Sequence, residues 1–87
     1  MKLKILYSPK FVRVYKKLPD NIKILAEEKE IVFRKNWKDS TLRTHKLNGR
    51  LKNLWSFSIN YQYRIIFEMV GENECHFHTV GMHDVYE

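Results

Sequence analysis

Eighty-seven residues, 44% hydrophobic and 14% aromatic, are too few for two cores and too apolar for a disordered chain, so residues 1–87 read as one small packed domain. The lone cysteine, Cys75, excludes an internal disulfide and a zinc ribbon. The longest uncharged stretch, residues 53–63, is too short to cross a bilayer. No apolar run follows Lys2 and Lys4 as a signal peptide would require, so the expectation is a soluble, cytoplasmic protein of net charge +6.

Residues 2–7 alternate, with Leu3, Ile5 and Tyr7 on one side, which predicts a short strand. Ser8-Pro9 is a helix start: the hydroxyl can cap free N–H groups, and the missing proline donor is harmless in the first turn. Phe11, Tyr15 and Leu18 then fall at helical spacing with Lys10, Arg13, Lys16 and Lys17 around them. Pro19 ends that helix. A second helix follows, capped by Asp20 or Asn21, with Ile22, Leu25, Ala26, Val32 and Phe33 on its apolar side. So short a junction predicts a helical hairpin.

After Asn36 the periodicity is lost, and residues 37–53 are polar and basic with Gly49 as the bend. Strands are predicted at Leu54–Ile59, Tyr63–Met69 and Cys75–Val80, separated by turns at Asn60-Tyr61-Gln62 and Gly71-Glu72-Asn73. The order β-α-α-β-β-β describes an α+β domain, its helical hairpin packed on one face of a small, mainly antiparallel sheet. The opposite face is left for a ligand.

The charge is segregated. Residues 1–19 hold six Lys/Arg and residues 40–67 hold five, without one acid in either segment, whereas residues 68–87 hold five acids and no Lys or Arg. Acid-free basic segments fit a polyanionic partner, because each neutralised phosphate releases counterions. A plain solvated basic surface has the same composition.

Four histidines are present, three within the last twelve positions. His76 and His78 share one strand face and, with His83, carry the donor type of a zinc site; two solvated polar residues have the same pattern. With no acidic ligand at a fixed spacing, no metal site is assigned. Arg64 lies among apolar residues, where an unmatched charge is costly. Either Glu68 on the same face neutralises it, or it reaches into a cleft and meets an anion. His45 and His83 are placed just beyond strand ends, where loops aim side chains over a sheet. Two imidazoles and a guanidinium around one basic groove suit metal-free RNA cleavage: one group accepts the 2′-OH proton, the arginine holds the phosphate oxygens, and another protonates the leaving 5′-oxygen.

The stretches His45-Lys-Leu-Asn-Gly, Leu54-Trp-Ser-Phe-Ser-Ile, Tyr63-Arg-Ile-Ile-Phe and Gly81-Met-His-Asp-Val-Tyr86, in this order behind strand-helix-helix, resemble the RelE/ParE toxin superfamily over the whole chain. They are most like the messenger-RNA endonucleases related to YafQ, which end in a Gly-Thr-His-Asp-like motif. The resemblance implies a toxin of a type II toxin–antitoxin pair that enters the 70S ribosome and cuts messenger RNA without a metal or other cofactor. It places proton transfer at His45 and His83, phosphate stabilisation at Arg64, and base stacking or phosphate orientation at Tyr86. Lys46, Arg50 and Lys52 match a basic stretch that tracks RNA phosphates. A cognate antitoxin, forming a hetero-oligomer with the toxin through an acidic segment, is the implied protein partner; no membrane is involved. Two departures stand out. Ser58 occupies a position where many relatives carry histidine or a basic residue, and serine cannot exchange protons near neutrality. Met82 replaces the threonine of the C-terminal motif. A ParE-like inhibitor of DNA gyrase and a non-catalytic binding member of the same fold are the alternative functions.

Overall fold

The computed structural model describes residues 3–49 and 53–82. Strand β1 (Lys4–Tyr7) leads into helix α1 (Pro9–Tyr15) and helix α2 (Asp20–Lys35). A 3-10 turn (Ser40–Leu42) precedes β2 (His45–Lys46), and β3 (Trp55–Ser58), β4 (Tyr63–Met69) and β5 (Glu74–Met82) follow. The five strands form one sheet in the order β1-β5-β4-β3-β2. Only β1 and β5 run parallel; the other three pairings are antiparallel. The α+β architecture expected from the sequence is present, with one strand more than the pattern showed. At two residues, β2 has no alternation to display, and its pairing of His45 with Ser56 and Lys46 with Trp55 is what defines it.

The start of α1 follows the predicted chemistry: Ser8 Oγ accepts from the Phe11 N–H at 2.9 Å, with Pro9 in the first turn. The helix ends at Tyr15, earlier than Pro19 requires. Lys17 and Leu18 N–H groups bond the carbonyls of Val14 and Tyr15 in i, i+3 fashion, a tightened last turn that still buries Leu18. At α2 the cap differs from expectation. Pro19 holds the N-cap position without a side-chain hydrogen bond, and Asp20 lies inside the first turn, where its charge favours the positive helix end.

Phe11, Leu18, Ile22, Ala26 and Phe33 of the helical layer pack with Ile5, Phe57, Ile65, Phe67, Cys75, Phe77 and Val80 of the sheet. Phe33 is the hub, with ring centroids 4.7 Å from Phe57, 4.9 Å from Phe67 and 5.4 Å from Phe77. Burial pushes the Cys75 thiol up to about 12, with the Glu30 charge adding to it, so this sulfur is an inert core atom. A polar tie joins β1 to α2: the Tyr7 hydroxyl donates to Glu30, and Arg34 bonds both Glu30 (3.1 Å) and the Leu3 carbonyl (3.1 Å). Truncating Phe33 to alanine removes the shared contact of three rings and costs about 3–5 kcal/mol. A domain this small has little more than that in reserve. Urea unfolding should show the midpoint collapse toward zero denaturant; an unchanged midpoint contradicts this packing.

Alternation assigns the two sheet faces. Trp55, Phe57, Tyr63, Ile65, Phe67 and Met69 belong to the helix-side core or pack against it. His45, Ser56, Ser58, Arg64, Ile66 and Glu68 therefore take the other face. That face is less open than the sequence implied. Its middle row, Ser56, Ile66 and Thr79, is buried. In β5 the register shifts so that Ile66 opposes Thr79 while Phe67 opposes Phe77. His78 is the extra residue of this bulge.

Candidate functional site

Where β3 turns into β4, four separate parts of the chain line a cleft of about 410 Å³. Lys29 comes from α2, Thr41 and Arg43 from the segment before β2, and His45 from β2. Ser58 through Tyr61 and Arg64 complete it from β3, the turn and β4. Among the described residues that line it there is no carboxylate, whereas Lys29, Arg43 and Arg64 bring three cationic groups. A concave wall carrying one sign of charge concentrates the opposite sign in its mouth.

The His45 ring is oriented by the backbone before it. Its Nδ1 lies 3.1 Å from the Arg43 carbonyl oxygen. A carbonyl only accepts, so this contact puts hydrogen on Nδ1 and leaves the lone pair of the neutral ring on Nε2. Arg43 can offer its carbonyl this way because it is left-handed, with φ 52° and ψ 41°. That backbone state is unfavourable for a non-glycine residue and persists only when its neighbours impose it. Three neighbours do so. Leu42 is fully buried, Asp39 caps the 3-10 turn through the Thr41 N–H at 2.9 Å, and Thr44 Oγ1 donates to the Trp37 carbonyl at 2.6 Å.

Arg64 stands on β4, a strand paired on both sides. Its cross-strand neighbours are Ser58 and Gly81, small residues that leave room for a long side chain on that face. His45 and Arg64 are thus brought to the same cleft from β2 and β4, across the width of β3. His45 is level with Ser56 and Arg64 with Ser58, so two strand spacings and a two-residue offset put their backbones roughly 12 Å apart, a gap the two side chains can share with one phosphodiester. Arg64 lines the cleft, and Glu68, the partner the sequence suggested for it, has its Oε1 3.1 Å from His78 Nε2.

The remaining predicted residues divide. Lys46 follows His45 on the strand and so takes the opposite face, its Nζ 6.0 Å from the Trp55 ring centroid; it does not line the cleft. Arg50, Lys52, His83 and Tyr86 lie outside the described residues. His45 itself is in a strand rather than in the loop the sequence suggested. His76 and His78 each meet a carboxylate, Glu74 and Glu68, at 3.1 Å. Among the described residues no group of three His, Cys, Asp or Glu side chains gathers for a metal ion, and no helix is long and apolar enough to cross a membrane.

Lys29, Arg43 and Tyr61 join the cleft without having been singled out from the sequence. Lys29 looks like any solvated lysine on an amphipathic helix, and Tyr61 like a turn residue. Only Arg43 had a signal, its membership of the acid-free segment 40–67.

Comparison with solved structures identifies the architecture. The YoeB/ParE toxin from Agrobacterium tumefaciens superposes with a TM-score of 0.79 over 93% of this chain and 99% of its own, at 12% identity. YafQ in the E. coli DinJ–YafQ toxin–antitoxin complex gives 0.79 over 100% of both chains at 15% identity. The YoeB–YefM complex from Staphylococcus aureus gives 0.76 over 95% of this chain and 99% of that one, at 21% identity. The fold is that of the RelE/ParE toxins. No family sequence model matches the chain, and neither does any curated protein by sequence. At these identities the RelE/ParE likeness describes the path of the backbone, and the chemistry has to be argued from this chain's own side chains. Ser58 illustrates the point. It lines the cleft and brings a hydroxyl there, not a group that titrates near neutrality.

Proposed function

We propose that this chain is the toxin of a type II toxin–antitoxin pair and that it cuts messenger RNA on the 70S ribosome by internal attack of a ribose 2′-OH. The observation that supports this most is the sharing of one cation-lined cleft by Arg64 and by a His45 ring with its lone pair on Nε2. The fold common to YafQ and YoeB toxins adds to it. In the reaction, His45 Nε2 accepts the 2′-OH proton as O2′ bonds to phosphorus. Arg64, helped by Lys29 and Arg43, neutralises the charge that grows on the non-bridging oxygens. The P–O5′ bond then breaks, His83 supplies a proton to the departing oxygen, and Tyr86 steadies the nucleotide. The products are a 2′,3′-cyclic phosphate and a 5′-hydroxyl. The cations from α2 and from the segment before β2 offset the uncharged Ser58, and no metal ion enters any step.

An antitoxin encoded beside the toxin would silence it. DinJ and YefM, in the complexes of the neighbouring folds, are such partners of YafQ and YoeB. A net charge of +6 favours an acidic segment on the partner.

Mapping transcript 5′ ends after induction, alongside a gyrase supercoiling assay, tests the proposal. New ends inside translated regions that also form on isolated translating ribosomes in EDTA are expected. Loss of supercoiling without new ends would assign the chain to the ParE-like gyrase inhibitors instead.

A further inference from the structure

We infer that Tyr61 and Arg43 form a stacking platform for one nucleobase at the rim of the cleft, so that this chain selects its RNA partly by the base beside the phosphate it attacks. This rests on the RNA-cleavage reading and adds a binding subsite to it. Tyr61 is 88% exposed, so most of its ring surface is open to a ligand. The ring is nonetheless fixed at its base. Asn60 Oδ1 accepts from the Gln62 and Tyr63 N–H groups, each at 2.8 Å, and the Ile59 N–H bonds the Tyr63 carbonyl at 2.9 Å. The turn is therefore rigid while its tip side chain stays bare, which is how a preformed stacking surface differs from a loose loop.

Arg43 supplies the second part. Its guanidinium carbon lies 5.9 Å from the Tyr61 ring centroid, a cation–π arrangement that covers one side of the ring. The exposure of the ring leaves the other side for a flat ligand. The same left-handed Arg43 whose carbonyl orients His45 carries this guanidinium. Base platform and proton acceptor thus hang on one backbone position, and both line the cleft that Arg64 enters. A nucleobase on Tyr61 would place its own phosphate toward the cations, because base and phosphate are held apart by a single ribose. Every base has a flat face, but purines offer more area, so the platform favours a purine.

The test uses the full chain and fluorescently labelled 2′-fluoro RNA trinucleotides, which bind without being cleaved. An abasic residue is placed at each position in turn. For the wild type, removal of the base at one position should weaken binding about 5- to 100-fold. Tyr61→Ala should weaken the intact trinucleotide by a similar factor and become indifferent to that abasic site. Tyr61→Phe should keep both properties. Equal binding of intact and abasic RNA by the wild type, unchanged base dependence in Tyr61→Ala, or no trinucleotide binding at all overturns the platform. Cleavage of ribosome-bound transcripts is read separately. Base-dependent binding without cleavage would preserve the platform and reject the nuclease proposal, and cleavage with no base dependence would do the reverse.

Discussion

Replacing Arg64 with alanine lowers single-turnover cleavage of ribosome-bound messenger RNA by about 10²- to 10³-fold, with the thermal midpoint little changed. The size is that of removing one preorganised donor from a developing oxyanion. Two features make Arg64 such a donor. It is anchored on a strand hydrogen-bonded on both sides, between Ser58 and Gly81, so its backbone needs no rearrangement as charge develops. It also lines a cleft to which Lys29 and Arg43 bring further positive charge, so a phosphate bound there meets several cations at once. Arg64→Lys should recover only part of the activity, since a lysine keeps the charge but loses the planar two-pronged donor. Cleavage by Arg64→Ala at the wild-type rate, measured with a melting curve on the same sample, removes Arg64 from the site.

Loss of His45 is the second large effect, about 10²- to 10⁴-fold, the usual range for a positioned general base. The informative variant is His45→Asn. An asparagine amide can still donate to the Arg43 carbonyl, as the imidazole does at 3.1 Å, but it cannot accept a proton. His45→Asn should therefore melt like the wild type, bind RNA like the wild type, and cleave as poorly as His45→Ala. If His45→Asn retains most of the activity, the histidine serves only to order the β2 segment.

The parts of the molecule legible in the sequence are those governed by local physics. Alternation located β3 and β4 within a residue and sorted Phe57, Ile65 and Phe67 from Ser58 and Arg64 correctly. Ser8-Pro9 marked the start of α1 through a real hydrogen bond, and Gly49 marked a bend with φ +68°. Nonlocal terms account for what was missed. β2 exists because Ser56 and Trp55 offer it a partner edge. The shift at His78 is a property of how β5 meets β4, not of either sequence alone. The left-handed state of Arg43 could not be read, since residues with a Cβ seldom adopt it and the constraint comes from buried Leu42 and the Thr44–Trp37 bond.

The cleft follows the same division. His45 and Arg64 were marked by residue type: a titratable ring inside a basic segment, and a charge inside an apolar strand. Lys29 and Tyr61 had no such mark, because α2 and the β3–β4 turn become neighbours only once the sheet is assembled. Lys46 is the reverse case. It adjoins His45 in sequence, yet strand alternation turns it toward Trp55.

The most direct measurement is cleavage of a ribosome-bound messenger in which the nucleotide 5′ to the mapped cut carries hydrogen in place of its 2′-hydroxyl. Loss of cutting at that position alone, with a 2′,3′-cyclic phosphate on the product of the unmodified messenger, is the outcome expected of a proton acceptor and a guanidinium acting on one ribose-phosphate link. Continued cutting of the deoxy-substituted messenger would contradict it.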